Sequence, residues 1–169
     1  GNFERIGDYA VNILKTKRTM HEDKIHFSKE ASKELEVMSS AVQEIITKAT
    51  NAFIENDVAA AQTIEPLEQV IDNLKAELRA RHTKRLQAGE CHIARLQAGS
   101  CSIEYGFVLD DLLTNYERIA DHCSNLAVCI IELSQGSYQT HRYLKSVKSQ
   151  ENARFMESFE DYLRKYALH

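Results

Sequence analysis

The scarcity of proline and glycine is the feature that most constrains this chain, because its 169 residues contain one proline and six glycines. These two residues mark turns, so a chain that nearly lacks them has few turns and long regular elements. Alanine, leucine, glutamate, lysine and glutamine, which favour helix, are common throughout. The composition therefore predicts an all-α protein built from long helices.

Apolar residues recur at steps of three and four, which is the helical period. Ser28 and Asp57 stand where N-caps are expected, and Pro66 either kinks the third helix or marks where a straight segment restarts. Short connections between helices favour an up-and-down antiparallel bundle. The expected helices cover residues 2–19, 28–56, 57–85, 102–133 and 144–166.

A short tandem duplication interrupts this pattern between Arg85 and Glu104. The string RLQAGECHIA is followed directly by RLQAGSCSIE, and each copy carries a glycine. This stretch is either continuous helix or two helix ends around a loop.

Several classes of function receive no support from the sequence. The net charge is -4 and no basic arm is present, so nucleic-acid binding is not expected. No apolar run approaches the roughly 18 residues that span a bilayer. The chain carries no nucleophile elbow, glycine-rich phosphate loop or H-E-x-x-H string, so we expect no catalytic activity. The four cysteines lack a C-x-x-C spacing and are interpreted as reduced thiols.

One string occurs twice. Residues 2–12 read NFERIGDYAVN and residues 115–125 read NYERIADHCSN, with six identical positions out of eleven. Such similarity at a separation of 113 residues indicates an internal repeat of a helical unit.

The repeated string places carboxylates on one ridge of each helix, away from its apolar stripe. Like charges four residues apart cost a few tenths of a kcal/mol in a helix, so a bound cation would offset the repulsion. Carboxylate oxygens are hard ligands that suit magnesium, calcium, manganese or iron. A third acidic ridge could face the second across a groove and form a metal cluster site. The candidate metal ligands are Glu4 and Asp8 on the first ridge, Asp110, Glu117 and Asp121 on the second, and Glu65, Glu68 and Asp72 on the third.

These strings resemble the E(D)-x-x-x-D signature of the PhoU family. The matching pairs are Glu4 with Asp8, Glu68 with Asp72, and Glu117 with Asp121, and residues 112–130 are similar to the PhoU-like C-terminal domain of bacterial sodium–phosphate cotransporters. The resemblance implies spectrin-repeat-like three-helix units, often in tandem, that regulate phosphate uptake. Some family members bind multinuclear iron or zinc clusters through these motifs.

The resemblance also implies an organisation and a setting for the chain. Residues 1–27 would be the last helix of an incomplete first repeat with its connector, 28–135 a PhoU-like bundle, and 136–169 a C-terminal helix that packs on the bundle. The expected partner is a membrane-spanning phosphate transporter domain of the same full-length chain, at the cytoplasmic face of the inner membrane. Phosphate and a second copy of the chain are further expected partners, and iron or zinc is expected ahead of magnesium or calcium.

Two alternatives remain open. A metal-free helical interaction domain would leave its acidic ridges solvated or in contact with a basic partner. A carboxylate-bridged di-metal enzyme would need Glu-x-x-His pairs that project into the bundle core. Such pairs are missing at the right places, and the acids are expected to face outward.

Overall fold

The computed structural model describes residues 1–87, 103–135 and 153–169. These ranges contain no strand, so the prediction of an all-α fold is confirmed. Within these three ranges, five long helices and one short helix follow one another. They are α1 (Asn2–Glu22), α2 (Lys29–Glu55), α3 (Val58–Ala61), α4 (Ile64–Gln87), α5 (Ile103–Gln135) and α6 (Ala153–Lys165).

Local capping sets the starts of α2 and α3. The Ser28 hydroxyl accepts the backbone N–H of Ala31 at 3.2 Å, and the Asp57 carboxylate accepts that of Ala60 at 3.0 Å. Asp57 caps the short α3 rather than the long helix that follows. Because α4 begins at Ile64, Pro66 falls in its first turn, where a missing backbone N–H has little cost. The alternative in which Pro66 marks the restart of a helix is confirmed.

The core lies where α2, α4 and α5 meet. Side chains such as Met38, Ile45, Leu67, Ile71 and Leu113 are fully buried there, and each contributes about 1.5–3 kcal/mol relative to an exposed position. Cross-helix contacts show that α4 runs antiparallel to both α2 and α5. The predicted up-and-down bundle is confirmed.

Two further helices flank this core. Helix α1 lies antiparallel along α5, with Thr16 hydrogen-bonded to Asp111 at 2.5 Å and none of its own residues fully buried. Helix α6 packs against α4 and buries Phe155 and Tyr162. In the described part of the chain, the bundle therefore consists of a three-helix core flanked by α1 and α6.

Some expectations fall outside this description. The duplicated RLQAG element beyond Gln87, with Cys91 and Cys101, lies outside the described residues, as does the segment 136–152. Within them, Cys123 and Cys129 are free thiols. No described helix is both long enough and apolar enough to cross a membrane.

Candidate functional site

A groove forms where one side of α4 lies against α5, and we call it the α4–α5 groove. Its α4 wall carries Glu65, Glu68, Lys75 and Arg79, and its α5 wall carries Asp110, Glu117, Asp121, Ser124 and Asn125. Because the helices are antiparallel, the start of α4 faces the later part of α5. The charge of the α4 wall changes sign along its length, so the groove has an acidic half and a basic half.

The acidic half contains two buried carboxylates. Glu65 and Glu68 are only 6% and 7% exposed, whereas the sequence pattern placed this ridge on the outside of the helix. The expectation that the acids face outward was wrong for Glu65 and Glu68, because α5 covers the first turns of α4, whereas Asp72 on the same ridge is exposed as expected. The Ser124 hydroxyl donates a hydrogen bond to Glu65 across the interface. Buried carboxylates need such donors, since an uncompensated buried charge is costly.

Three of the predicted site residues share one cavity in the acidic half. Glu65, Glu68 and Asp121 line a cavity of about 250 Å³. Arg118 pairs with Asp121 along α5 at 3.3 Å. The remaining lining residues are Tyr9, His122, Ser124 and Asn125.

In the basic half, the acids of α5 meet cations of α4. Lys75 pairs with Glu117 at 2.5 Å, and the two side chains are only 15% and 20% exposed. Arg79 pairs with Asp110 one turn further along, at the surface. Asp72, on the α4 ridge between Glu68 and Lys75, is exposed. Lysine and arginine side chains therefore provide the positive charge that the sequence analysis assigned to a metal ion at Glu117 and Asp110.

Helix α1 closes the outer side of the acidic half. The Tyr9 ring stacks on the His122 ring with centroids 5.8 Å apart, and His122 Nδ1 lies 3.1 Å from Asn2 Oδ1. The carboxylates of α1 lie elsewhere. Glu4 and Asp8 are both exposed.

Sequence reasoning missed Lys75, Tyr9 and His122 as parts of this groove. For Lys75 a signal was present, because it follows Glu68 by seven residues and so continues the same helical ridge. Tyr9 and His122 come together only because α1 docks on α5, which no local pattern indicates.

The carboxylates have the right chemistry for a hard metal ion, but their arrangement does not provide a formed site. Within the three described ranges, no three His, Cys, Asp or Glu side chains are grouped so that they could hold a metal ion. Glu117 and Asp110 are already engaged by cations. Metal binding by the eight candidate ligands stays a prediction.

The comparison with known families is decisive for the fold family. The family model for the PhoU domain matches residues 35–130, which span α2 to α5 and the whole α4–α5 groove. The chain belongs to the PhoU family. The match covers more than half of the chain and includes every candidate ligand except Glu4 and Asp8.

A curated relative supports this assignment. The chain is 29% identical over 148 residues to the phosphate-specific transport system accessory protein PhoU homolog 1 of Thermotoga maritima. The aligned region covers 88% of this chain but 58% of that relative, so the chain spans somewhat more than half of the relative's length. No solved structure gave a significant match. The resemblance to PhoU is confirmed, whereas the cotransporter setting and the division at residues 27 and 135 stay predictions.

Proposed function

We propose that the chain is a non-catalytic regulatory module of a phosphate-transport system. The observation that carries this proposal is the PhoU family match across α2 to α5. The name of the Thermotoga relative, an accessory protein of phosphate-specific transport, supports the same process. More specifically, we propose that the regulated transporter is sodium-dependent and that its membrane-spanning domain belongs to the same full-length chain as this module. The module would then lie at the cytoplasmic face of the membrane. The support for this more specific proposal is the similarity of residues 112–130 to the cotransporter family.

Phosphate uptake in the bacterium that encodes the chain tests this role. The coding segment for residues 1–169 is deleted in frame, and uptake of radiolabelled phosphate is measured under phosphate excess and phosphate limitation. We expect the normal difference in uptake between the two conditions to shrink or disappear. Unchanged uptake in both conditions, with the truncated protein present in the membrane or cytoplasm, would contradict the proposal.

We further propose that metal ions bind in the acidic half of the groove, at Glu65, Glu68 and Asp121. Iron or zinc is the first candidate, and magnesium or calcium the second. The support is the convergence of three carboxylates on one cavity, two of them buried. Because the described residues form no ready group of three ligands, binding would require side chains in the cavity to move. That same finding gives no support to a di-metal enzyme.

Elemental analysis of the purified chain tests the metal proposal. A Glu68→Gln/Asp121→Asn variant is compared with a Glu77→Gln/Asp161→Asn variant, whose two acids are exposed and lie outside the groove. We expect stoichiometric metal in the wild type and the control, and a clear loss in the groove variant. Equal metal content in all three proteins would exclude the groove as the site.

The second candidate is a metal-free helical interaction module. The observation that favours it is the pairing of Lys75 with Glu117 and of Arg79 with Asp110, which balances part of the acidic ridge without a metal. Absence of metal from the wild type, even after incubation with iron or zinc salts, would favour this candidate. In that case the exposed acids would remain available to a basic surface of a transporter or of a second copy of the chain.

A further inference from the structure

We propose that the Lys75 ammonium is the resident cation of Glu117 and excludes a metal ion from the basic half of the α4–α5 groove. Glu117 is then not a metal ligand in this chain, although the sequence motif places it beside Asp121. This inference narrows the proposed metal site to the acidic half of the groove, and it rests on the proposed function only in using a divalent metal ion as the probe.

The geometry of the pair carries the argument. Lys75 Nζ lies 2.5 Å from Glu117 Oε2, and about four fifths or more of each side chain is buried. A lysine in this setting packs its methylene stem against apolar surface and holds its charge at one place. Screening by salt is weaker here than at an exposed pair.

Either of two unfavourable free-energy terms would therefore oppose the binding of a divalent ion at Glu117. The ion would lie close to the positive charge of Lys75, which would repel it, and the repulsion is stronger in this largely buried setting than in bulk water. Alternatively it would displace the ammonium, which would then lose its charge-assisted hydrogen bond while its side chain remains largely buried. Both terms disfavour metal at this position.

The position of Lys75 on the helix makes it a fixed part of the groove. It follows Asp72 by three residues and Glu68 by seven, and so belongs to the same ridge as the acids. Arg79 continues the ridge and pairs with Asp110, but both members of this pair are about half exposed. An exposed pair is weak and screened, so Arg79 provides a matched control from the same half of the groove.

Manganese titration by calorimetry tests the inference with the wild type and four variants: Lys75→Gln, Glu117→Gln, the double variant Lys75→Gln/Glu117→Gln, and the control Arg79→Gln. Circular dichroism checks that each is helical, and Lys75→Met replaces Lys75→Gln if the latter fails to fold. We expect Lys75→Gln to bind Mn²⁺ about tenfold more tightly than the wild type, the size expected for removal of one adjacent positive charge. We expect the double variant to lose this gain, and Glu117→Gln alone and Arg79→Gln to match the wild type.

Two results would overturn the inference. One is weaker Mn²⁺ binding by Glu117→Gln alone, because Glu117 would then be a ligand in spite of Lys75. The other is a folded Lys75 variant that binds no more tightly than the wild type. The proposed metal site in the acidic half fails separately, when the wild type binds no metal, and a gain in Lys75→Gln would still support the role of Lys75.

Discussion

At the scale of single residues, His82 shows how burial changes the protonation of an ionisable side chain. His82 on α4 points toward α5, where a Cβ atom on Gly106 would lie 3.4 Å from its Nε2 atom. Among the described residues, this buried nitrogen has no hydrogen-bond partner. Burial lowers the pKa of His82 below 6.5, the nearby Arg85 lowers it further, and Glu34 opposes the shift. The folded bundle therefore favours the neutral imidazole.

This lowered pKa predicts an acid-sensitive contribution to stability. The unfolded chain binds a proton at His82 near pH 6.5, whereas the folded chain binds it only at lower pH, so the folded state is favoured above that pH and loses stability as the pH falls below it. We expect the free energy of unfolding to fall more between about pH 7.5 and 5 in the wild type than in His82→Leu. Urea denaturation across this range measures the difference.

A control separates His82 from the other groups that titrate in the same range. His26 is exposed in the turn between α1 and α2, so His26→Gln should keep the wild-type dependence on pH. Identical pH profiles for wild type and His82→Leu would show that the buried imidazole contributes nothing.

At the scale of helices, α2 and α4 are joined by one buried carboxylate. Glu34 on α2 accepts two hydrogen bonds from Arg85, at 3.0 and 2.8 Å, and one from Arg81 at 3.3 Å. Its side chain is 8% exposed, whereas the arginine side chains are 20% and 31% exposed. This paired geometry is the strong form of a carboxylate–guanidinium contact, and it fixes the start of α2 against the end of α4.

We expect Glu34→Ala to destabilise the bundle by about 1–3 kcal/mol, because Arg85 and Arg81, both partly buried, each lose a carboxylate acceptor. Glu77 is the matched control, since it pairs with the same Arg81 at 2.7 Å but is 50% exposed. Glu77→Ala should cost less than about 0.5 kcal/mol. Urea midpoints of the two variants give the comparison, and equal losses would mean that burial of Glu34 does not matter.

At the scale of the whole molecule, α6 is held to the bundle by an aromatic stripe and a few polar contacts. Tyr162 is 8% exposed, and Lys48 of α2 lies 5.7 Å from the centroid of its ring. The Tyr166 hydroxyl and Lys165 both bind Glu44 of α2. Burial raises the pKa of Glu44, but the hydrogen bonds from Lys165 and Tyr166, together with the charge of Lys165, outweigh this effect and lower the pKa. The last helix thereby covers one side of the α2–α4 pair.

We expect Tyr162→Ala to cost about 2–4 kcal/mol, because it leaves a cavity between α6 and the bundle. Leu163 is its matched control on the same helix, since its side chain is 40% exposed. Leu163→Ala should cost less than about 1 kcal/mol. Thermal unfolding followed by circular dichroism compares the two, and similar losses would argue against docking through Tyr162.

The sequence by itself determined the helices, most of their ends and the acidic ridges. Helical periodicity and N-caps depend on residues three or four positions apart, so Ser28 and Asp57 could be identified before any packing was known. The motif pairs Glu68 with Asp72 and Glu117 with Asp121 were visible for the same reason, and they led to the correct family.

Only the tertiary structure decided what those ridges meet. The burial of Glu65 and Glu68, the pairing of Lys75 with Glu117, and the contact of Tyr9 with His122 each depend on side chains from different helices. The register and direction of α4 and α1 against α5 bring these residues together, and burial and charge pairing then set the character of each side chain. The acidic ridge of α5 therefore has two different surroundings in the folded bundle. One part lines the acidic cavity, and in the other part, the basic half of the groove, each acid is paired with a lysine or an arginine.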